Sequence, residues 1–530
     1  MKKLICYIAL FTALVVGSCS KLVNEDPLSD GRLDQFFKTV FEADAAVAGM
    51  YGAFQQCMIG ESQFNNRINF WGDARSDNME RFKTYTSNST SEIHFNSLTP
   101  NNNWADWSPL YTVIGRANLN IAKFPLINNY ATPGSKDVIS DATLKSYLSQ
   151  CYAMRAMCYF YILRVWGDAP IRTTPFLDLN DDPQAARRPM TEVKAQIIAD
   201  LQKAYDLVVK GATPTVWYLG EGAICAMMAD VYMWRSHDAA IVPDYANAII
   251  WFKNLFKAKA PSSKTYNAAG TTTTGSGGAA SDLEPTASWK NIFTSPAGSV
   301  ETIWSIHWNV TTNGCPCMSG ISTATSNTPM RTAVEVFNSW GKSTTDVRGK
   351  QTIDALKTDN WDRILKWYGP SGFTVASGTY LTAANAALVV GTDKNVYFPV
   401  YRLADMFLLY AEALNKTGDR DNARKYLNLI HVRATLPAYT AADLTAENDM
   451  EDAILVERRW ELFAEGKRWF DLVRTDHVIQ IMNPLLISRQ LTEGAAQTGW
   501  GTDKRKYLWP VDRDVLNANP NLKQNKPYSD

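Results

Sequence analysis

Eighteen residues near the C-terminus, 457–474 (ERRWELFAEGKRWFDLVR), do most to limit how this chain can fold. Acidic and basic residues alternate there with Trp and Phe. Burying the rings therefore takes charges inside, which is tolerable only when each charge has a partner. Asp449 reads as the N-cap of a helix leading into this stretch, with Glu451 and Asp452 in its first turn, where unpaired amide N–H groups favour negative charge. Val456, Trp460, Phe463 and Phe470 recur at helical spacing and predict one apolar, aromatic face. The charges match along a helix, Arg458 with Glu461 and Glu465 with Arg468 at i,i+3, and Lys467 with Asp471 at i,i+4. Gly466 predicts a stop or bend. Glu457, Glu461 and Glu465 could furnish the carboxylate pair of a glycosidase. Their alternation with arginine favours a structural ion-pair ladder.

Most of the remaining body reads as pairs of amphipathic helices, at 41–56, 107–124, 144–165, 191–209 (Thr191 as N-cap), 220–235, 245–256, 403–416 and 420–434. The run at 144–165 is long, Ala-rich and bulky, and predicts a central core helix ending at Trp166-Gly167-Asp168-Ala169-Pro170. Small residues at Ala411 and Ala423, with Gly418 at the turn, resemble a tetratricopeptide unit, whose repeats need neighbours to bury their apolar faces. Between these blocks lies a segment rich in Gly, Ser and Thr, then a strand pattern at 301–309. The expected fold is mainly α, a tetratricopeptide-like helical-repeat scaffold with an inserted, loop-rich second lobe containing short strands. The boundaries are 31–258 for the first helical block, 259–400 for the lobe and 401–530 for the second block.

Residues 457–474 resemble the C-terminal signature of the SusD/RagB family of outer-membrane nutrient-binding lipoproteins. Four further stretches agree: RLADMFLLYAEALNKTG at 402–418, YLNLIHVRA at 426–434, LWPVDRDVLNANPNLKQN at 508–525, and the arginine-bearing helix before Trp166-Gly167-Asp168. His431 stands where the family usually has Arg, and Asp514 where Glu is common. Ordered motifs of this length are far more specific than a single short pattern. The resemblance implies a non-catalytic, surface-exposed protein that captures oligo- or polysaccharide and delivers it to a SusC-like TonB-dependent transporter. Peptide is the ligand of some relatives.

The N-terminus fits that expectation. Lys2 and Lys3 precede an apolar run at 4–16 too short to span a bilayer, then Val16-Gly17-Ser18-Cys19. Residues 1–18 read as a lipoprotein signal peptide, Cys19 as the lipidated residue anchoring the chain to the outer membrane, and 19–30 as the tether. With 53 basic and 53 acidic residues the net charge is zero, which argues against nucleic acid as a partner. No two of the five histidines have helical metal-ligand spacing, and Cys315-Pro316-Cys317 lacks a second pair. No cofactor is called for, and a structural calcium ion is left open.

Without a nucleophile motif, the candidate chemistry is aromatic rings beside polar groups. Sugar C–H faces lie on such rings while carboxylates, amides and arginines take the hydroxyls. Two stretches offer these sets, and in the family the ligand surface is built from loops of the same two regions. The candidates are Trp71, Asp73, Asn78, Arg81 and Trp104 in the first, and Trp340, Trp367 and Tyr368 in the second. An exported glycosidase and a scaffold that binds only protein partners are the competing readings.

Overall fold

The computed structural model describes residues 36–60, 66–81, 87–177, 181, 183–267, 282–309, 329–353, 364, 366–367 and 396–529. Its architecture is mainly α-helical. The longer helices and their neighbours are α1 (Val40–Ile59), α2 (Arg67–Gly72), α3 (Asn88–Phe95), α4 (Ser108–Lys123), α5 (Asp141–Trp166), α6 (Met190–Leu207), α7 (Glu221–Met233) and α8 (Tyr245–Lys257) in the first block. The second block holds α9 (Leu403–Lys416), α10 (Arg420–Arg433), α11 (Glu447–Glu461), α12 (Arg468–Arg474) and α13 (Val478–Thr492). Strands β1 (Met79–Arg81), β2 (Thr302–Trp308), β3 (Met330–Thr332) and β4 (Val396–Arg402) form two antiparallel pairs, β1 with β3 and β2 with β4.

Local chemistry sets many helix ends. The Thr39 hydroxyl accepts from the Glu42 N–H, and the Glu42 carboxylate accepts from the Thr39 N–H at 2.9 Å, a reciprocal cap on α1. Ser140 caps α5, which stops at Gly167 with φ +78°. Two expected caps differ. Pro189, not Thr191, precedes α6, and Asp449 lies inside α11, where its carboxylate accepts the Ala446 N–H at 2.9 Å.

The 26 residues of α5 span about 39 Å, and every residue from Ala153 to Trp166 is buried. A helix wrapped on all sides must satisfy its polar groups internally. Arg155 does so by donating to both carboxylate oxygens of Asp200 on α6 (2.8 and 2.6 Å) and to Asn118 Oδ1 on α4 (2.7 Å). Phe256 on α8 meets Phe407 and Tyr410 of α9 at ring distances of 5.6 and 5.2 Å, joining the two blocks. The end of α5 receives the C-terminal tail. Trp166 Nε1 donates to the carbonyls of Ala105 and Pro510, and Asn525 Nδ2 donates to those of Trp166 and Trp509. From the 259–400 region, β2 and β4 pack into the scaffold. Trp304 stacks 5.7 Å from Phe54 of α1, and β4 runs straight into α9.

Residues 457–474 span α11, a turn and α12, and their charges pair mainly across the fold, with Arg474–Asp471 (2.9 Å) a pair along α12. Arg458 binds Asp405 (2.8 Å) and Asp471 (2.9 Å), Lys467 binds Asp405 (3.0 Å), and Arg468 binds Asp77 (2.8 Å). Glu461 faces Arg402 (2.6 Å), Arg348 (3.0 Å) and Arg433 (2.5 Å), while Glu457 holds Arg348 (2.6 Å) and His431 (2.7 Å). Glu465 takes Arg402 (2.8 Å) and Lys366 (2.5 Å). The expected i,i+3 and i,i+4 ladder is therefore replaced by a buried network. The stretches 402–418, 426–434 and 457–474 meet there as one polar core, in which His431 binds Glu457. Val456, expected on the buried face, is exposed.

Candidate functional site

The β1–β3 pair ties the first region expected to carry ligand to residues 330–332, which precede the second. Met79, Glu80 and Arg81 stand opposite Thr332, Arg331 and Met330. Beneath this ladder, Asp73 accepts from Asn78 Nδ2 (2.8 Å) and the Gly466 N–H, and Asn78 Oδ1 accepts from Arg459 Nε (3.1 Å). The turn before β1 is thus fastened to the polar core. Burial raises the Asp73 carboxyl to about 7. At Asp77 burial acts the same way, but Arg468 and Arg459 outweigh it and hold the acid well below the usual carboxylate range.

Above the ladder opens a cleft of about 750 Å³ between β1, β3 and α13. Its polar groups come in pairs: Glu80 with Arg331 (2.6 Å), Arg81 with Glu493, and Glu335 with Arg459 (3.4 Å). Arg489 forms the floor and donates to the carbonyl of Met79 at 2.6 Å. His94 stands between them. Its Nδ1 accepts the Arg81 N–H (3.2 Å), so Nε2 carries the proton and lies 3.4 Å from Glu493. Burial, with Arg489, Arg81 and Arg331 nearby, depresses the His94 pKa strongly. The unfolded imidazole takes up a proton near pH 6.5 while the folded one stays neutral, so stability falls as pH drops below that value. Between pH 6.5 and 5 the native chain is expected to lose about 2 kcal/mol more than His94→Asn, read from urea unfolding at both pH values.

A second concavity, of about 360 Å³, lies between α1, the loop before α7, and β2. Trp217 and Tyr218 line it, the first partly and the second largely exposed. Sequence reasoning passed over both. The available signal was an adjacent Trp-Tyr pair in a short loop bounded by Pro214 and Gly220. Among the described residues no group of three His, Cys, Asp or Glu side chains is arranged to hold a metal, and no helix is long and apolar enough to cross a membrane.

The profile of the SusD family matches residues 249–528, more than half the chain, and a SusD-like profile described as "Starch-binding associating with outer membrane" matches 28–233. The chain belongs to the SusD family. Two SusD-like proteins of Formosa agariphila are 27% and 24% identical to it, each alignment covering 99% of this chain and 98% or more of the relative. Among solved structures, a SusD superfamily protein from Bacteroides thetaiotaomicron superposes with a TM-score of 0.67 at 20% identity, covering 93% of this chain and all of that one. B. fragilis NanU gives the same TM-score at 19% identity, covering 96% and 100%.

Within this SusD-family fold the expected ligand residues fall into two groups. Arg81 lines the larger cleft. Trp71, Trp104, Trp340 and Trp367 lie in the core, each 4% exposed or less, which corrects the expectation of open rings. Trp71 Nε1 donates to the Trp104 carbonyl (3.0 Å), and Trp104 stacks on Phe70 at 4.0 Å. Trp340 stacks on Trp460 at 5.0 Å and donates to Asp346 (2.9 Å), and Trp367 stacks on Phe398 at 5.9 Å. Asp73 and Asn78 are buried in the fastening described above and do not line the cleft. Tyr368 and Cys19 lie outside the described residues.

Proposed function

We propose that this protein is a lipid-anchored outer-membrane glycan-capture protein that holds oligo- or polysaccharide without cleaving it and delivers it to a SusC-like TonB-dependent transporter. The observation that carries the reading is the polar cleft beside the β1–β3 ladder, where Arg81 of the first expected region meets Arg331 and Glu335. Ion-paired carboxylates and arginines there offer fixed acceptors and donors to sugar hydroxyls. The absence of cleavage is supported by the fate of Glu457, Glu461 and Glu465. All three are 2% exposed or less and bound to cations in the core, so the chain's densest glutamate cluster meets no substrate. Delivery, surface exposure and the anchor at Cys19 rest on the family resemblance and the leader-like N-terminus.

Calorimetric titration with a polysaccharide panel, with reducing-sugar release followed in parallel, tests this. Saturable binding without release is expected, weakened tenfold or more by Arg81→Ala combined with Arg331→Ala. Release of sugar would overturn the non-catalytic reading. Binding of peptides alone would replace glycan by a charged peptide cargo suited to the same arginines and glutamates.

A further inference from the structure

The smaller concavity has chemistry opposite to that of the charged cleft. On the outer face of the β2–β4 sheet, His307 stands opposite Tyr397, with ring centroids 4.6 Å apart. Trp217 lies over this pair at 5.0 Å from His307 and 5.7 Å from Tyr397, with ring planes within 34°. One indole face is thereby braced on protein while the partly exposed ring borders the cavity. Tyr218, 48% exposed, supplies a second ring, and its edge contact with Tyr51 at 5.1 Å fixes its position. A Cβ added at Gly52 on α1 would meet nothing within 4 Å, so the wall facing these rings is open.

The polar lining is uncharged: Gln55, Ser305, His307 and Asn309 border the cavity. No Asp, Glu, Lys or Arg is among the described residues lining the cavity. Its 360 Å³ stands near the lower end of the roughly 300–1,000 Å³ of small-ligand sites, room for one or two sugar rings.

We infer that this concavity is a second saccharide subsite, taking a neutral pyranose ring stacked on Trp217 and Tyr218 with its hydroxyls toward the uncharged polar residues that border the cavity. The inference rests on the glycan-capture reading. It adds a division of labour: the charged cleft holds the chain by its hydroxyls and any carboxylates, and the aromatic subsite grips a neutral unit.

Calorimetry with neutral disaccharides (maltose, cellobiose, lactose) and with a bound polysaccharide tests the assignment. Trp217→Ala and Tyr218→Ala are expected to weaken disaccharide binding tenfold or more, with Trp217→Phe retaining most of it. Glu447→Ala, at an exposed ion pair outside both clefts, should leave it within twofold. If no disaccharide binds, the same variants are read on the polysaccharide, where tenfold loss at Trp217 supports the subsite. Tyr218 projects largely into solvent, so its variant keeps the test valid should Trp217→Ala unfold. Unchanged binding in both aromatic variants, or disaccharide binding lost with Arg81→Ala and Arg331→Ala instead, overturns the subsite and leaves capture standing. Failure of every glycan to bind the native protein would remove both.

Discussion

Replacing Glu461 by Leu is expected to destabilise the fold by about 3–5 kcal/mol, because it strips a buried carboxylate from Arg348, Arg402 and Arg433 together. Glu461, Arg348 and Arg402 are buried and the Arg433 side chain is 7% exposed, so little solvent compensates the cations left behind. Urea or thermal unfolding reads the loss. Glu447→Ala provides the contrast, since that acid pairs with Lys416 at the surface and its removal should cost at most about 1 kcal/mol. The same core sets the acid limit of the protein. At Glu461, desolvation would raise the pKa, but the three arginines carry it well below the usual carboxylate range. Lys467 and Arg458 likewise hold Asp405 at about 2. Groups with depressed folded pKa values lend stability that is fully present above pH ~4 and is lost as pH falls through the folded values. Wild type should therefore lose stability steeply below pH 4 and Glu461→Leu less so. Parallel acid titrations of the two would decide it.

The second large effect is expected at Gly466. Its φ of +72° is strained for any side chain, and an added Cβ would collide with Ile68. Across the same contact, a Cβ on Gly72 would overlap the Gly466 carbonyl. Gly466→Ala should cost about 1–2 kcal/mol for the left-handed backbone and a further ~1–3 kcal/mol for overpacking. Gly418→Ala is a fair control. Its φ is also positive, at +90°, but no atom lies within 4 Å of the new Cβ, so only the backbone cost should appear in the unfolding midpoint.

The helices were largely legible because amphipathic period and local caps act over a few residues. The span expected at 403–416 and the α9 observed coincide, and α5 proved to be the central core helix. What local pattern did not convey is which partner a charge takes. Arg458 and Glu461 are spaced to pair along one helix, yet each finds several partners from elsewhere in the fold, Asp405 and Asp471 for the first and Arg348, Arg402 and Arg433 for the second, because a low-dielectric interior rewards saturation of every charge. The aromatic candidates misled for a related reason. Trp71 and Trp104 sit in a polar, loop-like stretch, but a large ring with one N–H donor is as well served by a backbone carbonyl in the core as by a ligand. Trp217 was missed because its significance depends on His307 and Tyr397, which only the β2–β4 register places beside it.

The tail that closes on Trp166 also governs the order in which this chain can mature. Trp166 Nε1 waits for a carbonyl 344 residues later, and Arg468 in the polar core waits on Asp77, 391 residues earlier. Such nonlocal closures carry a large loop entropy and form late. A fragment ending before Pro510 leaves Trp166 Nε1 without one of its two carbonyl acceptors, and one ending before Arg459 also leaves Asp77 without its arginines. The chain should therefore remain protease-sensitive until its last residues are available, and a deletion after Tyr507 should behave as a folding defect even though it spares both clefts almost entirely.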